Sequence, residues 1–147
     1  MRIDNKKARF DYDILDTFEA GVALTGAEVK SLRTGKGQLT GAFVRFIGGA
    51  PMLVNAEIPL YPFAKAEGYD PKRSRKLLLH KTQIMSLQSK LNSANLTIVP
   101  LAWYSTGHRV KLSIGLARGK KEYQKREKIK KEDMRRDLER EFRGKVK

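Results

Sequence analysis

Between Arg109 and Ala117 the chain alternates without a break. Val110, Leu112, Ile114 and Leu116 fall on one parity, and Arg109, Lys111 and Ser113 on the other. A period of two puts successive side chains on opposite faces of an extended strand, so this segment reads as half buried in a sheet. A lone hairpin is marginal in water, and the apolar row needs several partner strands to cover it. Other segments supply them. Phe10, Tyr12, Ile14 and Phe18 share one parity and Asp11, Asp13 and Glu19 the other, which predicts a first strand. Two apolar runs between Ala42 and Ile58 flank Gly48 and Gly49, a pair suited to the positive φ angles of a two-residue hairpin turn. Thr97 to Tyr104 reads as another strand, in which Pro100 lacks an amide donor and marks an edge or a bulge. It is expected to pair with the Arg109 strand across Ser105 to His108.

Two helices interrupt the strands. Thr25 is suited to an N-cap, Glu28 three residues on can reach back to its amide as a capping box, and Leu24 and Val29 are spaced for a hydrophobic staple. This helix is expected to run through Val29 and Leu32 and stop near Gly35. A second spans about Lys81 to Ser93, with Ile84, Leu87 and Leu91 on one face and His80 as its N-cap. Short antiparallel strands with two short helices, in just under 120 residues, predict a mainly β fold: a small closed or partly open barrel, for which the oligonucleotide-binding (OB) type is one architecture. Tyr61 to Arg75, with Pro62, Gly68 and Pro71 and leading into a Lys72, Arg73, Arg75, Lys76 cluster, reads as an exposed basic loop.

Charge indicates the kind of partner. Of the 147 residues, 31 are Lys or Arg and 16 Asp or Glu, for a formal net charge of +15, and such an excess favours polyanions such as nucleic acid or an acidic membrane surface. Residues 118–147 hold 14 basic and 7 acidic side chains. About half the excess therefore sits on a fifth of the length, and the expected division is a barrel domain over 1–117 and a basic tail over 118–147. No window approaches the roughly 20 apolar residues of a spanning helix, and the polar start, Met1 to Phe10, has no apolar core of a secretory signal. With no cysteine, and with His80 and His108 far apart and lacking a nearby ligand pattern, neither a metal site nor a histidine-based triad is expected.

The tail holds no proline from Gly119 onward. It carries five Glu-to-Lys/Arg pairs at i,i+4: Glu122/Arg126, Glu127/Lys131, Glu132/Arg136, Glu139/Arg143 and Glu141/Lys145. These add roughly 1 to 2.5 kcal/mol of helical preference. Met134, Leu138, Phe142 and Val146 form a stripe only one residue wide, which buries little area. The expectation is a segment disordered when free that becomes helical against an anionic surface, spanning roughly 35 Å from Gly119 to Gly144. The competing reading is a solvated tail whose apolar stripe packs on its own domain.

Five blocks then stand out together: Asn5-Lys6-Lys7-Ala8-Arg9; Phe18-Glu19-Ala20-Gly21; Leu24-Thr25-Gly26 leading to Glu28-Val29-Lys30-Ser31-Leu32-Arg33; Lys76-Leu77-Leu78-Leu79-His80-Lys81; and Ala117-Arg118-Gly119-Lys120-Lys121. In this order they resemble the SsrA-binding protein (SmpB) family, over nearly the whole chain. The resemblance implies a bacterial cytoplasmic protein with an OB-type barrel that binds the tRNA-like domain of transfer-messenger RNA and brings it to ribosomes stalled on messages lacking a stop codon. It implies no catalytic activity and no cofactor. It also implies a tail that enters the empty message channel at the decoding centre, no membrane partner, and a monomer in complex with RNA.

Carried over by position, the RNA-binding candidates are Glu19, Leu78 and His80, supported by Gly21 and by Lys6, Lys7 and Arg9; Lys76, from the basic cluster, joins them as a phosphate contact. The ribosome-contacting candidates in the tail are Gly119, Lys120, Lys121, Tyr123, Lys125 and Arg126. Where the family has an Asp-Lys-Arg motif, this chain reads Gln124-Lys125-Arg126, so the acidic member is missing. Chemically, a carboxylate at Glu19 repels phosphate but accepts from base amino groups or ribose hydroxyls, which would position one nucleotide. Its plainer role is a solvated strand residue. Leu78 lies in an apolar triplet that alternation cannot bury on one face, and it could be either a core leucine or a contact for a base or ribose. His80 could stack on a base or simply cap its helix. Tyr12, Trp103 and Tyr104 are stacking candidates, with Tyr12 and Trp103 better suited to the core. Two other functions fit less well: a general ribosomal RNA-binding protein or translation factor, and an RNA-processing enzyme using His80 with Glu19.

Overall fold

The computed structural model describes residues 1–92, 95–120 and 129–138. In chain order its elements are β1 (Arg2–Asp4), α1 (Lys6–Asp11), β2 (Tyr12–Val22), α2 (Gly26–Arg33), β3 (Phe43–Ile47), β4 (Ala50–Val54), β5 (Arg75–Leu78), α3 (Lys81–Leu91), β6 (Leu96–Thr106) and β7 (Arg109–Gly119). All pairings between these strands are antiparallel, in the order β1-β6-β3-β4-β5-β2-β7, and a further β6–β7 pairing closes strands β2 to β7 into a ring, with β1 added outside it on β6. The sheet thus closes into a mainly β barrel with short helices, as the alternating runs require. Closure removes the free edges that an open sheet would present. Its interior holds Trp103, Leu53, Ile58, Leu77, Ile98, Leu112 and Ile114, with Leu87 of α3 and Leu32 of α2 against them.

The expected turns hold. Gly48 and Gly49 have φ of 59° and 80°, the pair of positive values a tight hairpin needs, and Ile47 pairs with Ala50 across them. β6 slips register between Pro100 and Ala102, which is the bulge Pro100 predicts. The Thr25/Glu28 capping box forms, with Thr25 N to Glu28 Oε1 at 2.9 Å and Glu28 N to Thr25 Oγ1 at 3.2 Å.

Several expectations fail for identifiable reasons. The first strand starts at Tyr12, and Phe10 belongs to α1. Buried Asn5 caps α1 by accepting from Ala8 N at 3.2 Å, and its Nδ2 donates to Leu39 O at 3.1 Å and Pro100 O at 2.9 Å. A bulge between Ile14 and Asp16 then divides one apparent apolar parity between two clusters. Tyr12 and Ile14 pack beneath α1 with Ala8, Val99, Leu101 and Ala117, while Phe18 and Ala20 pack with the main core. β1, which the sequence did not signal, pairs Arg2 to Asp4 with Tyr104 to Ala102. β7 continues through Arg118 and Gly119, which pair with Asp13 and Tyr12, and Lys120 N donates to Asp11 O at 2.9 Å. The barrel thus runs past the expected boundary at Ala117.

The basic cluster is not all exposed. Arg75 has no exposed surface, and its guanidinium bonds Glu28 Oε2 (2.6 Å), Ala56 O (2.9 Å), Arg73 O (2.9 Å) and Pro71 O (3.0 Å). Beside it, Arg73 donates to Glu28 Oε1 at 2.6 Å. Arg75 is a structural residue, because a buried guanidinium needs its charge compensated and its donors filled.

Residues 129–138 are helical. Within them Arg136 approaches Asp133 at 3.9 Å, and Met134 and Leu138 are 58% and 65% exposed, so the stripe at these positions does not pack on the barrel.

Candidate nucleic-acid interface

β5 supplies the centre of the site. Its alternation is plain: Arg75 and Leu77 turn inward, while Lys76 and Leu78 face solvent, Leu78 being 55% exposed. Leu78 pairs with Gly21 of β2, and Gly21 pairs with Lys111 of β7 on its other side. Paired residues share a face of the sheet, so Leu78, Gly21 and Lys111 form one outward row. A Cβ on Gly21 would stand 3.2 Å from the Leu78 Cβ, tighter than ordinary packing, so glycine lets the leucine lie low over the strand. Glu19, two residues earlier on β2, projects from the same face.

His80 lies two residues beyond the end of β5 as the N-cap of α3, where its backbone amide donates to Gln83 Oε1 at 3.1 Å. Its side chain is at the surface. The result is an open cleft of about 650 Å³ whose walls include Glu19, Gly21, Lys76, Leu78, His80 and Lys111, with Arg109 at its rim. Five of the eight RNA-binding residues named from the sequence therefore converge. Leu78 also forms a wall of a second, smaller depression with Val29 and His108.

Within the cleft, cationic Lys76, Arg109 and Lys111 outnumber the single carboxylate. Tyr104 is neither a core ring nor a free stacking platform. It is half buried and pairs with Lys111, which in turn pairs with Gly21, so it faces the Glu19 carboxylate diagonally across β7. Burial, followed by the hydrogen bond and negative charge of Glu19, pushes its phenol up to about 12. The phenol is protonated at physiological pH and can donate to Glu19. Trp103 is wholly buried, and Tyr12 is half buried beneath α1, which ends any stacking role for Trp103.

The remaining candidates lie elsewhere. Lys6, Lys7 and Arg9 are exposed on α1, which packs at the Tyr12 end of β2. The seven steps from Tyr12 to Glu19 correspond to about 23 Å of strand. Lys7 lines a smaller cleft of about 300 Å³ with Asn5, Asp11 and Tyr12. Gly119 ends β7, Lys120 is tied to Asp11, and Lys121, Tyr123, Lys125 and Arg126 lie outside the described residues, as does Gln124. Sequence reasoning missed Arg109 and Lys111, which it read only as the polar side of a strand. Placing Lys111 opposite Gly21 would have found them, but that requires the register. Among the described residues, no group of His, Cys, Asp or Glu is placed to hold a metal ion, and no helix is long and apolar enough to cross a membrane.

Known proteins similar to this chain fall in one family. Residues 2–144 match the model of the family described as SmpB protein. The SsrA-binding protein of Sulfurihydrogenibium sp. (strain YO3AOP1) is 49% identical over 143 residues, 97% of this chain and 94% of that protein. The SsrA-binding protein of Aquifex aeolicus (strain VF5) is 48% identical over 144 residues, 97% of this chain and 92% of that protein. The fold resembles a chain from a solved structure described as "tmRNA-SmpB: a journey to the center of the bacterial ribosome", with a TM-score of 0.68 and 48% identity over 82% of this chain and 85% of that one.

Proposed function

The chain belongs to the SmpB family, and from that membership we propose that it binds the tRNA-like domain of transfer-messenger RNA and delivers it to stalled ribosomes for trans-translation. The observation that carries this reading is the convergence of Glu19, Gly21, Lys76, Leu78 and His80 on one cationic cleft. Its parts have distinct jobs. Lys76, Arg109 and Lys111 attract the phosphate backbone without reading sequence. Glu19, to which the Tyr104 phenol can donate, accepts from a ribose hydroxyl or base amino group. Leu78 gives an apolar surface for a base or sugar, and the His80 imidazole stacks at the helix entrance. Lys6, Lys7 and Arg9 on α1 grip phosphates at a second point of a large folded RNA.

The protein acts as a cytoplasmic adaptor, a monomer on its RNA, and peptidyl transfer remains the ribosome's. The barrel, which runs through the end of β7, and the basic tail after it form separate working units. Gly119, Lys120, Lys121, Tyr123, Lys125 and Arg126 lead the tail into the message channel and decoding centre, where it becomes fully helical. The exposed Met134 and Leu138 support a stripe kept free for that surface.

Identification of the RNA that copurifies with the protein tests the reading. Transfer-messenger RNA enriched over ribosomal RNA is the expected result. Ribosomal RNA alone would favour the general ribosomal RNA-binding protein.

A further inference from the structure

The cleft depends on a strand that can barely hold itself. β5 is four residues long and pairs through only two residues on each side: Arg75 and Lys76 with β4, Leu77 and Leu78 with β2. Such a ladder is short for a strand that must present Leu78 at a fixed height. Next to it lies a buried ionic cluster that the RNA-binding reading has not used.

Glu28 and Arg75 are 1% and 0% exposed, and neither can reach an RNA bound outside. Glu28 Oε2 accepts from Arg75 Nε at 2.6 Å and lies 2.6 Å from Nη2 of the same guanidinium. Its Oε1 receives Arg73 at 2.6 Å and the Thr25 amide at 2.9 Å. Nη1 of Arg75 donates to the carbonyls of Ala56 and Arg73, and Nη2 to that of Pro71. One carboxylate thus ties the start of α2, the loop before β5 and β5 itself. Zipped beside it, Ala23 N donates to Lys76 O at 2.9 Å, and Gly21 and Leu78 pair two residues further along the strand. Well-packed apolar residues can often replace a buried ion pair without loss of stability. Stability alone therefore does not explain three charged groups here.

We propose that the Glu28–Arg75–Arg73 cluster is the positioning element of the RNA cleft: it fixes the register and height of β5 against β2, and so the projection of Lys76, Leu78 and His80 toward the RNA. The proposal rests on the assignment of that cleft to RNA. These are positioning residues, since none of the proposed effect requires RNA contact by Glu28 or Arg75.

The sign of the charge change gives the test. Glu28→Gln raises the net charge by one, so if the cluster contributed only to the protein's field, a polyanion would bind more tightly. Positioning predicts weaker binding, by about tenfold, because a site loosened by an ångström loses its complementarity. Dissociation constants for a tRNA-like-domain transcript are measured on wild type and variant, at a temperature where Trp103 emission reports a folded core. Glu28→Asp keeps the charge but shortens the arm, and it serves where the glutamine variant does not fold. Its expected result is a smaller loss with an unchanged salt slope. Equal or tighter binding by the folded variant overturns the proposal. Failure of the wild type to bind the transcript would instead remove the cleft assignment itself.

Discussion

Leu77 and Leu78 are neighbours on β5, yet 1% of one and 55% of the other is exposed, so truncating each to alanine separates the core from the RNA surface. Fully burying a leucine is worth about 1.5–3 kcal/mol. With 55% of Leu78 still open to solvent, its coverage by RNA supplies about 0.8–1.6 kcal/mol, or roughly four- to fifteenfold in Kd. Leu78→Ala is therefore expected to raise the Kd for the tRNA-like transcript by that factor, with a stability change of about 1 kcal/mol or less. Leu77→Ala leaves a cavity in the core and costs about 2–5 kcal/mol, or roughly 5–15 °C in Tm for a chain of this size. Its RNA affinity, measured on the folded fraction, should change little. Thermal melts by circular dichroism and Kd by fluorescence anisotropy read the two effects. If Leu78→Ala melts as early as Leu77→Ala, or if its Kd is unchanged, the outward face of β5 is not the RNA surface.

Other consequences follow from the same geometry. Glu19→Arg adds positive charge but removes the acceptor, so electrophoretic mobility shifts should show weaker RNA binding by tenfold or more, with the melt unchanged. Truncation after Lys120, which leaves β7 and its tie to Asp11 intact, should spare RNA affinity and abolish rescue in a reconstituted translation assay. Glu28 lies below its ordinary value of 4.5: burial alone raises it, and the Thr25 amide with Arg73 and Arg75 more than reverses that. The stability it gives is complete above that ordinary value and lost as pH falls through the lower folded value. Tm should therefore fall through this acid range in the wild type and fall less in Glu28→Gln. If about six phosphates are neutralised, log K should fall with log salt at a slope of about −4, and a slope near zero in titration would contradict the electrostatic share of binding.

Much of the fold could be read from the sequence because its signals were local. The Gly48-Gly49 turn, the Pro100 bulge and the Thr25/Glu28 box each depend on a few adjacent residues whose conformational demands are specific. What stayed hidden depended on partners distant in the chain. The bulge after Ile14 split an apparent single face because α1 covers one stretch of β2 and the barrel interior takes the next. Arg75 looked like one of several surface cations because its carboxylate lies 47 positions away. In the site, the crowded Leu77-Leu78-Leu79 triplet showed that the three leucines cannot share one buried face, but left Leu78 open between core and surface. Arg109 and Lys111 were not deducible, since only the β2–β7 register places Lys111 opposite Gly21.

The most direct test of the central claim is a nuclear magnetic resonance titration of the labelled protein with the tRNA-like transcript. The largest shifts are predicted at Glu19, Gly21, Leu78, His80 and Lys111. The apolar groove of Phe43, Phe46 and Leu91, lined by none of these residues, should stay unperturbed. Shifts concentrated in that groove, with Gly21 and Leu78 unmoved, would contradict the account.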